Sequence, residues 1–464
     1  MPLVLARPVR LIKNCFVKTP QALPPRALRK DLTPFFHNEL DRCFGPNATD
    51  LAVSSAPDLP KNLLIDSWHL GASDIHFEPS RDGARIRLRV DGMVWDVAQL
   101  NDDRAKVFLN QFKAMAGIDP VVRFTPADAS ATFAMVDGHL DLRLALAPTS
   151  SGETMAVRLL DAKRLERSIL ELGLSEQNLR RLRAWLKQTS GMVLMAGPTG
   201  CGKTTTAYSL LHELKTANRV IISVEDPVEC QIDGITQIQV NGLKELSFSE
   251  GVKAILRHDP DYLMVGEIRD ALSAQAAVRA AIAGRVLLST VHCRDAVSAV
   301  TALRNWNLTD REIADALSVV VAQRLVRKLC RHCRKSAKPS KLEAACIRSF
   351  NLSVPPKVWT PVGCKECKSL GYRGRTGVFE VWRLDEDARA AILKGTDELL
   401  LREHLARRKH LFLVQDGLAK LSDGTTSFDE IKRIAGDVDL LATPASRRKP
   451  SSARTFSSAK ASRR

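Results

Sequence analysis

The run Gly197-Pro198-Thr199-Gly200-Cys201-Gly202-Lys203-Thr204-Thr205 combines two things that phosphate binding needs, a backbone able to curl and a cation able to follow it. It comes after the apolar stretch Met192–Ala196 and opens a helical pattern marked by Ala207, Leu210, Leu211 and Leu214. That is the strand, loop and helix setting of a P-loop. Its glycines let backbone N–H groups surround a phosphate at a helix N-terminus, where the dipole is positive. Lys203 is then placed to pair with the β- and γ-phosphates of ATP, and the Thr204 hydroxyl to bind Mg2+. Binding is not hydrolysis, which also needs a base and charge stabilisation. Val224-Glu225-Asp226-Pro227-Val228-Glu229 closes a second apolar run, Gly266-Glu267 follows a third at Tyr262–Val265, and His292 follows a fourth at Val286–Thr290. If these runs are parallel strands, the polar groups meet at one sheet edge, the place where open α/β sheets bind ligands. Glu267 is the first choice to activate the attacking water, with Glu225 and His292 beside it. The plainer alternatives are solvated strand-end charges and a structural histidine.

Cys330-Arg331-His332-Cys333 and Cys364-Lys365-Glu366-Cys367 are two C-x2-C knuckles 30 residues apart. Four thiolates in this spacing suit tetrahedral Zn2+, and a closed four-sulfur shell is structural because no position is left for water. The spacer is longer than in the commonest zinc ribbons, but loop closure grows only logarithmically with length. His332 is not needed as a ligand. Four unrelated free cysteines or a redox pair are the alternatives.

Apolar runs alternating with helical patterns from Met192 to Ser289 have the rhythm of parallel βα units with a sheet covered on both faces. Upstream, Ile75, Phe77, Ile86, Leu88 and Val90 alternate with polar residues around a turn at Ser80–Gly83, a hairpin that puts Arg85, Arg87 and Arg89 on one face. Those arginines form either a solvated strand face or a binding surface. A helix near Arg104–Ala116 and strands near Asp141–Ala147 and Thr154–Leu160 complete an α/β domain. The expected organisation is a basic, poorly patterned segment over 1–60, an α/β N-terminal domain over 61–162 and a linker helix over 163–190. An ATPase domain over 191–328, a tetracysteine segment over 329–380, a helical region over 381–443 and a disordered basic tail over 444–464 follow.

The chain has 464 residues, enough for about three domains. Its 45% hydrophobic and 26% charged residues exclude a fibrous or wholly disordered protein. No stretch approaches the ~18 apolar residues of a membrane span, and the short apolar start interrupted by Arg7 is not a secretory signal. Ten cysteines without a disulfide-like framework fit a reducing compartment. The net charge of +17 suggests a polyanionic partner. Residues 1–30 and 444–464 each hold seven basic groups and no acid, however, which leaves +3 on 31–443.

The P-loop, Glu225–Glu229, Leu256–Asp261 running into Met264–Asp270, and Ser289–His292 resemble the Walker A, Asp box, Walker B and His box of secretion ATPases, the motors of type II secretion and type IV pilus assembly. Ala72–Pro79, Arg87–Gly92, Met115–Asp119, Gly152-Glu153 and Arg158–Asp161 resemble that family's N-terminal domain. The likeness covers roughly residues 65–438. It implies an α/β fold with a RecA-like P-loop domain behind a smaller α/β domain, a zinc-binding insertion and a helical C-terminal region. It also implies that Glu225 lies in the active site, that Glu267 is the catalytic glutamate, and that N-terminal-domain arginines, with Arg143 and Arg158 as candidates, approach the γ-phosphate as fingers. A structural ion pair is the alternative for each arginine. The cysteine motif and Gly371–Gly377 resemble the assembly and secretion motors; retraction and type IV secretion ATPases generally lack the cysteines.

A cytoplasmic, peripheral inner-membrane homohexamer acting on an inner-membrane platform protein is the implied machine, with ATP, Mg2+ and structural Zn2+ as its cofactors. Nucleic acid is not an expected partner, though the basic tails could touch anionic lipid. The sequence departs from the family pattern at Cys201, where Ser is common, at Gly284-Arg285, at Cys293-Arg294 and at Pro126–Ser130. Two other classes stay open: a P-loop nucleic-acid translocase and a non-hydrolysing regulatory nucleotide-binding component.

Overall fold

The computed structural model describes residues 59–435 except 136–137, 162–164, 217, 241–246 and 351. The basic tail expected over 444–464, and almost all of the segment expected over 1–60, lie outside the described residues.

The N-terminal domain runs α1 (Leu59–Leu70), β1 (Ala72–Ser80), β2 (Gly83–Val90), β3 (Met93–Leu100), α2 (Asp102–Met115), β4 (Ala127–Met135), β5 (Gly138–Thr149) and β6 (Gly152–Leu160). Its six strands form one antiparallel sheet in the order β3-β2-β1-β6-β5-β4. The expected hairpin is β1 and β2: Ile75, Phe77, Ile86 and Leu88 are buried, and the helices cover that face. Phe108 of α2 stacks on Phe77 at 5.9 Å between ring centroids. Asn101 caps α2, its side chain accepting from the Arg104 N–H, with Asp102 and Asp103 in the first turn. On the opposite face the arginines of β2 are answered locally. Arg87 pairs with Glu78 at 2.6 Å and Asp96 at 3.5 Å, and Arg89 with Asp74 at 3.6 Å. This is the solvated, ion-paired reading of that face rather than a free cationic surface.

After a one-turn 3-10 helix at Ile169–Glu171 and α3 (Glu176–Leu186), the second domain begins. It runs β7 (Gly191–Ala196), α4 (Lys203–Leu214), β8 (Ile221–Glu225), β9 (Thr236–Gln239), α5 (Phe248–Ile255), β10 (Tyr262–Val265), α6 (Ala271–Ile282), β11 (Val286–Val291), α7 (Ala296–Asn305), α8 (Asp310–Ala316) and β12 (Leu317–Leu329). Beyond these come β13 (Lys335–Ala337), α9 (Lys341–Ser349), β14 (Val358–Thr360), β15 (Tyr372–Arg383), α10 (Glu386–Leu393), α11 (Glu398–Arg407), α12 (Leu413–Ser422) and α13 (Phe428–Ala435). The large sheet has the order β15-β12-β7-β11-β10-β8-β9, parallel throughout except that β15 pairs antiparallel with β12. Every residue of β7, β10 and β11 is buried. Helices on both faces remove the polar alternation a one-sided sheet would show.

Two elements depart from the sequence reading. β15 falls partly inside the segment assigned to the cysteines over 329–380, yet it is the edge strand of the large sheet. The cysteine lobe is therefore an excursion over 330–371 between two hydrogen-bonded neighbours. β4 is not foreshadowed in the sequence; its residues, mostly Ala, Ser and Thr, alternate half-buried and exposed at a sheet edge and carry little β signal. The charge of the core is also uneven, since residues 330–371 hold nine Lys or Arg against two acids. Among the described residues no helix is long and apolar enough to cross a membrane.

Candidate functional site

β7 delivers the P-loop to the sheet edge and α4 carries it away. Gly200 and Gly202 have φ of 75° and 90°, the left-handed region that other residues resist. Crowding adds to this: a Cβ on Gly197 would come within 2.4 Å of Cys201 Sγ and 2.8 Å of the Gln323 carbonyl oxygen. Gln323, buried on β12, donates from Nε2 to the Cys201 carbonyl at 2.9 Å and accepts from Thr206 Oγ1 at 2.7 Å. It fastens the loop to the neighbouring strand. Pro198 and Thr199 are exposed at the tip, and the Thr205 carbonyl accepts from Ser209 Oγ at 2.8 Å within α4.

Lys203 Nζ donates to the Gly197 and Pro198 carbonyls at 2.7 and 3.2 Å and lies 3.4 Å from His292 Nδ1. Burial lowers its pKa. His292 Nε2 in turn lies 3.3 Å from Glu267 Oε2. An ammonium can only donate, so Nδ1 is the acceptor, and Nε2–H is left to donate to the carboxylate. The neutral ring this requires is favoured: burial first, then Lys203 and Arg269, lower the His292 pKa. Glu267, His292 and Lys203 thus form one connected line at the P-loop. Arg269 was not singled out from the sequence; it holds Glu267 Oε1 through Nε and reaches Asp226 Oδ2 at 2.9 Å through Nη1. It ties the end of β10 to the turn after β8.

Glu225 sits at the expected strand end, but its carboxylate is occupied. It is 3% exposed and accepts from Tyr208 Oη at 2.5 Å, Ser223 Oγ at 2.6 Å and Gln237 Nε2 at 3.0 Å. Three donors hold this buried carboxylate in one orientation. Glu229, four residues on, lies beside Thr204 of the P-loop, and burial raises its pKa although Arg143, Arg158 and the Thr204 side chain pull the other way. Arg143 and Arg158 are register partners on β5 and β6. Arg143 Nη2 donates to the Val228 carbonyl at 3.4 Å, while Arg158 Nε donates to Asp74 Oδ1 at 3.0 Å. The N-terminal domain therefore brings two arginines to the acidic turn, and a cleft of about 570 Å³ between the domains is lined by Trp68, Asp161, Gly202, Thr205, Glu229 and Arg373.

Two cysteines at the site, Cys201 and Cys293, are held as thiols rather than thiolates by burial. Cys201 is buried under the loop and its thiol pKa is raised by burial. Burial, with Asp295 and Glu398, pushes the Cys293 thiol up to about 12. The other four are gathered. Cys330, Cys333, Cys364 and Cys367 place all their sulfurs within 4.8 Å of one another. The Sγ separations are 3.8 Å for Cys330–Cys364, 3.7 Å for Cys333–Cys367 and 3.8 Å for Cys364–Cys367. Zn–S bonds of about 2.3 Å in a tetrahedron require sulfurs about 3.8 Å apart, so the set fits zinc. The N–H groups of Gly363, Cys364 and Gly371 each donate to a cysteine sulfur at 3.2 Å, which stabilises thiolate charge.

Residues 52–433 match the family model described as type II/IV secretion system protein. The type II secretion system ATPase E of Vibrio cholerae is 37% identical over 84% of this chain and 78% of its own length. The type II secretion system protein E of Aeromonas hydrophila is 36% identical over the same shares, 84% and 78%. Among solved structures, the Legionella pneumophila ATPase DotB superposes with a TM-score of 0.61 at 19% identity, covering 84% of this chain and 98% of that one, a likeness of fold.

Proposed function

The chain belongs to the type II/IV secretion system protein family, and from that premise we propose that it is a Mg-dependent ATPase, a homohexameric motor that powers type II secretion or assembly of type IV pili or pseudopili. The observation that carries this reading is the line Glu267, His292 and Lys203 laid along the P-loop. P-loop N–H groups and Lys203 would bind the phosphates, with Thr204 and the nearby Glu229 facing the metal position. Mg2+, when bound, would neutralise charge developing between the β- and γ-phosphates. Glu267 would accept the proton of the attacking water, its two oxygens oriented by Arg269 and His292. His292 would sense the γ-phosphate side of Lys203. Glu225 would lie at the edge of the site and anchor the turn that carries Glu229. Arg143 and Arg158 would supply positive charge to the transition state from the N-terminal domain, so hydrolysis and domain rotation would be coupled.

The tetracysteine lobe would hold one structural Zn2+ through Cys330, Cys333, Cys364 and Cys367. Its presence favours an assembly or secretion motor over a retraction motor. A cytoplasmic position against an inner-membrane platform protein fits this reading, and the basic termini would add weak contact with anionic lipid. The direct test is ATP hydrolysis by the purified full chain and by Glu267→Gln. The variant should bind ATP as tightly as the wild type yet turn over at least about a hundredfold more slowly, the usual worth of a general base. Wild-type turnover in the variant would defeat the assignment.

A further inference from the structure

The loop that carries His292 is held from two sides by buried arginines. From β12, Arg324 Nη2 donates to the Arg294 carbonyl at 2.7 Å. From the C-terminal helices, Arg402 of α11 reaches Asp295 Oδ2 at 2.5 Å, with the two side chains only 8% and 1% exposed. Asp295 is the N-cap of α7, and its other oxygen already accepts the Ser298 N–H at 2.9 Å. The cap is thus complete without the arginine. Glu398, one turn before Arg402, binds Arg402 at 2.6 Å, Arg294 at 3.4 Å and Thr301 Oγ1 at 3.0 Å. A network of this depth is a poor device for stability, because apolar replacements of buried ion pairs are often neutral or better. It is a good device for fixing one loop geometry.

We propose that Arg402 is a positioning residue for ATP hydrolysis, which through Asp295 holds the His292 loop where the imidazole can meet Lys203 and Glu267 together. This rests on the ATPase reading above. His292 has to keep contacts of 3.4 Å and 3.3 Å with groups on two different segments, the start of α4 and the loop after β10, and misplacement by about 1 Å can cost about a hundredfold in rate. Phosphate binding by the P-loop backbone does not pass through this loop, so the loss should fall on kcat and spare KM.

The experiment uses the full-length chain with Arg402→Gln, Arg402→Lys and the double variant Asp295→Asn/Arg402→Gln. Arg402→Gln should lower kcat at least about tenfold with KM for ATP within about twofold, and Arg402→Lys should regain most of the loss. Removing one partner of a buried pair can unfold a protein, so the double variant, with neither charge left, guards the result. It should melt near the wild-type temperature and still turn over slowly; a wild-type kcat in it would overturn the proposal. A second readout does not depend on turnover: in histidine-labelled protein the His292 ring signals should move in Arg402→Gln. Unmoved signals would also overturn it, whereas a wild type that hydrolyses no ATP would strike only the ATPase reading.

Discussion

At the nucleotide edge, Lys203, Glu229, Glu267 and His292 follow the ends of four parallel strands whose residues are buried almost without exception. In the cysteine lobe, the four sulfurs come from two tight turns, supported by strands of three residues, of which Lys335–Ala337 is wholly exposed. The first site is positioned by a hydrophobic core that exists before any ligand arrives. The second packs Cys346, Ile347, Phe350 and Val358 against that same core, but its sulfur-bearing turns would be held together chiefly by what their thiolates bind. Chemistry placed on the sheet should fail locally when one residue is changed, and the lobe should fail as a unit.

Four changes break or sharpen that contrast. Glu267→Gln has the largest expected effect, at least about a hundredfold on turnover, with no change in melting temperature by calorimetry. Next comes the lobe. Elemental analysis should find about one zinc per chain, and Cys364→Ser or a strong chelator should release it, melt the lobe at lower temperature and leave ATP binding at the sheet edge intact. Unchanged melting on zinc loss would show that the lobe has a sufficient core after all. Third, Arg143→Gln should slow hydrolysis by about tenfold or more, since arginines at a developing phosphoryl charge are worth at least that. It should do so without weakening the folded N-terminal domain, because the groups the Arg143 side chain engages, the Val228 carbonyl and Glu229, lie outside that domain. Smallest of all, Cys201→Ser should leave turnover within about twofold, because the side chain lies under the loop while the loop presents backbone N–H groups.

The P-loop, the strand-end acids, His292 and the cysteines were legible because each announces itself within a few residues of chain. Gln323 and Arg324 were not, although a polar pair inside the apolar run Val319–Val326 was a usable signal. Arg269 was hidden in a motif read for its glutamate. Glu225 was placed correctly at the sheet edge, but whether a carboxylate faces the ligand or three buried donors depends on Tyr208 and Gln237, which lie 17 and 12 residues away. β15 was masked by Gly374, Arg375 and Gly377 in its first half, where glycine and charge are weak strand signals. Arg402, more than a hundred residues from His292 in the chain, had no local pattern to betray it.

Leu329 and Tyr372 are register partners, so the cysteine lobe leaves and re-enters the sheet at adjacent positions. For a loop of roughly forty residues whose ends are already joined by a strand pair, doubling its length would cost only about 0.6 kcal/mol more in closure entropy. The lobe is therefore a module at a tolerant insertion point. Length can be added there while the strands that hold Gln323 against the P-loop stay in register.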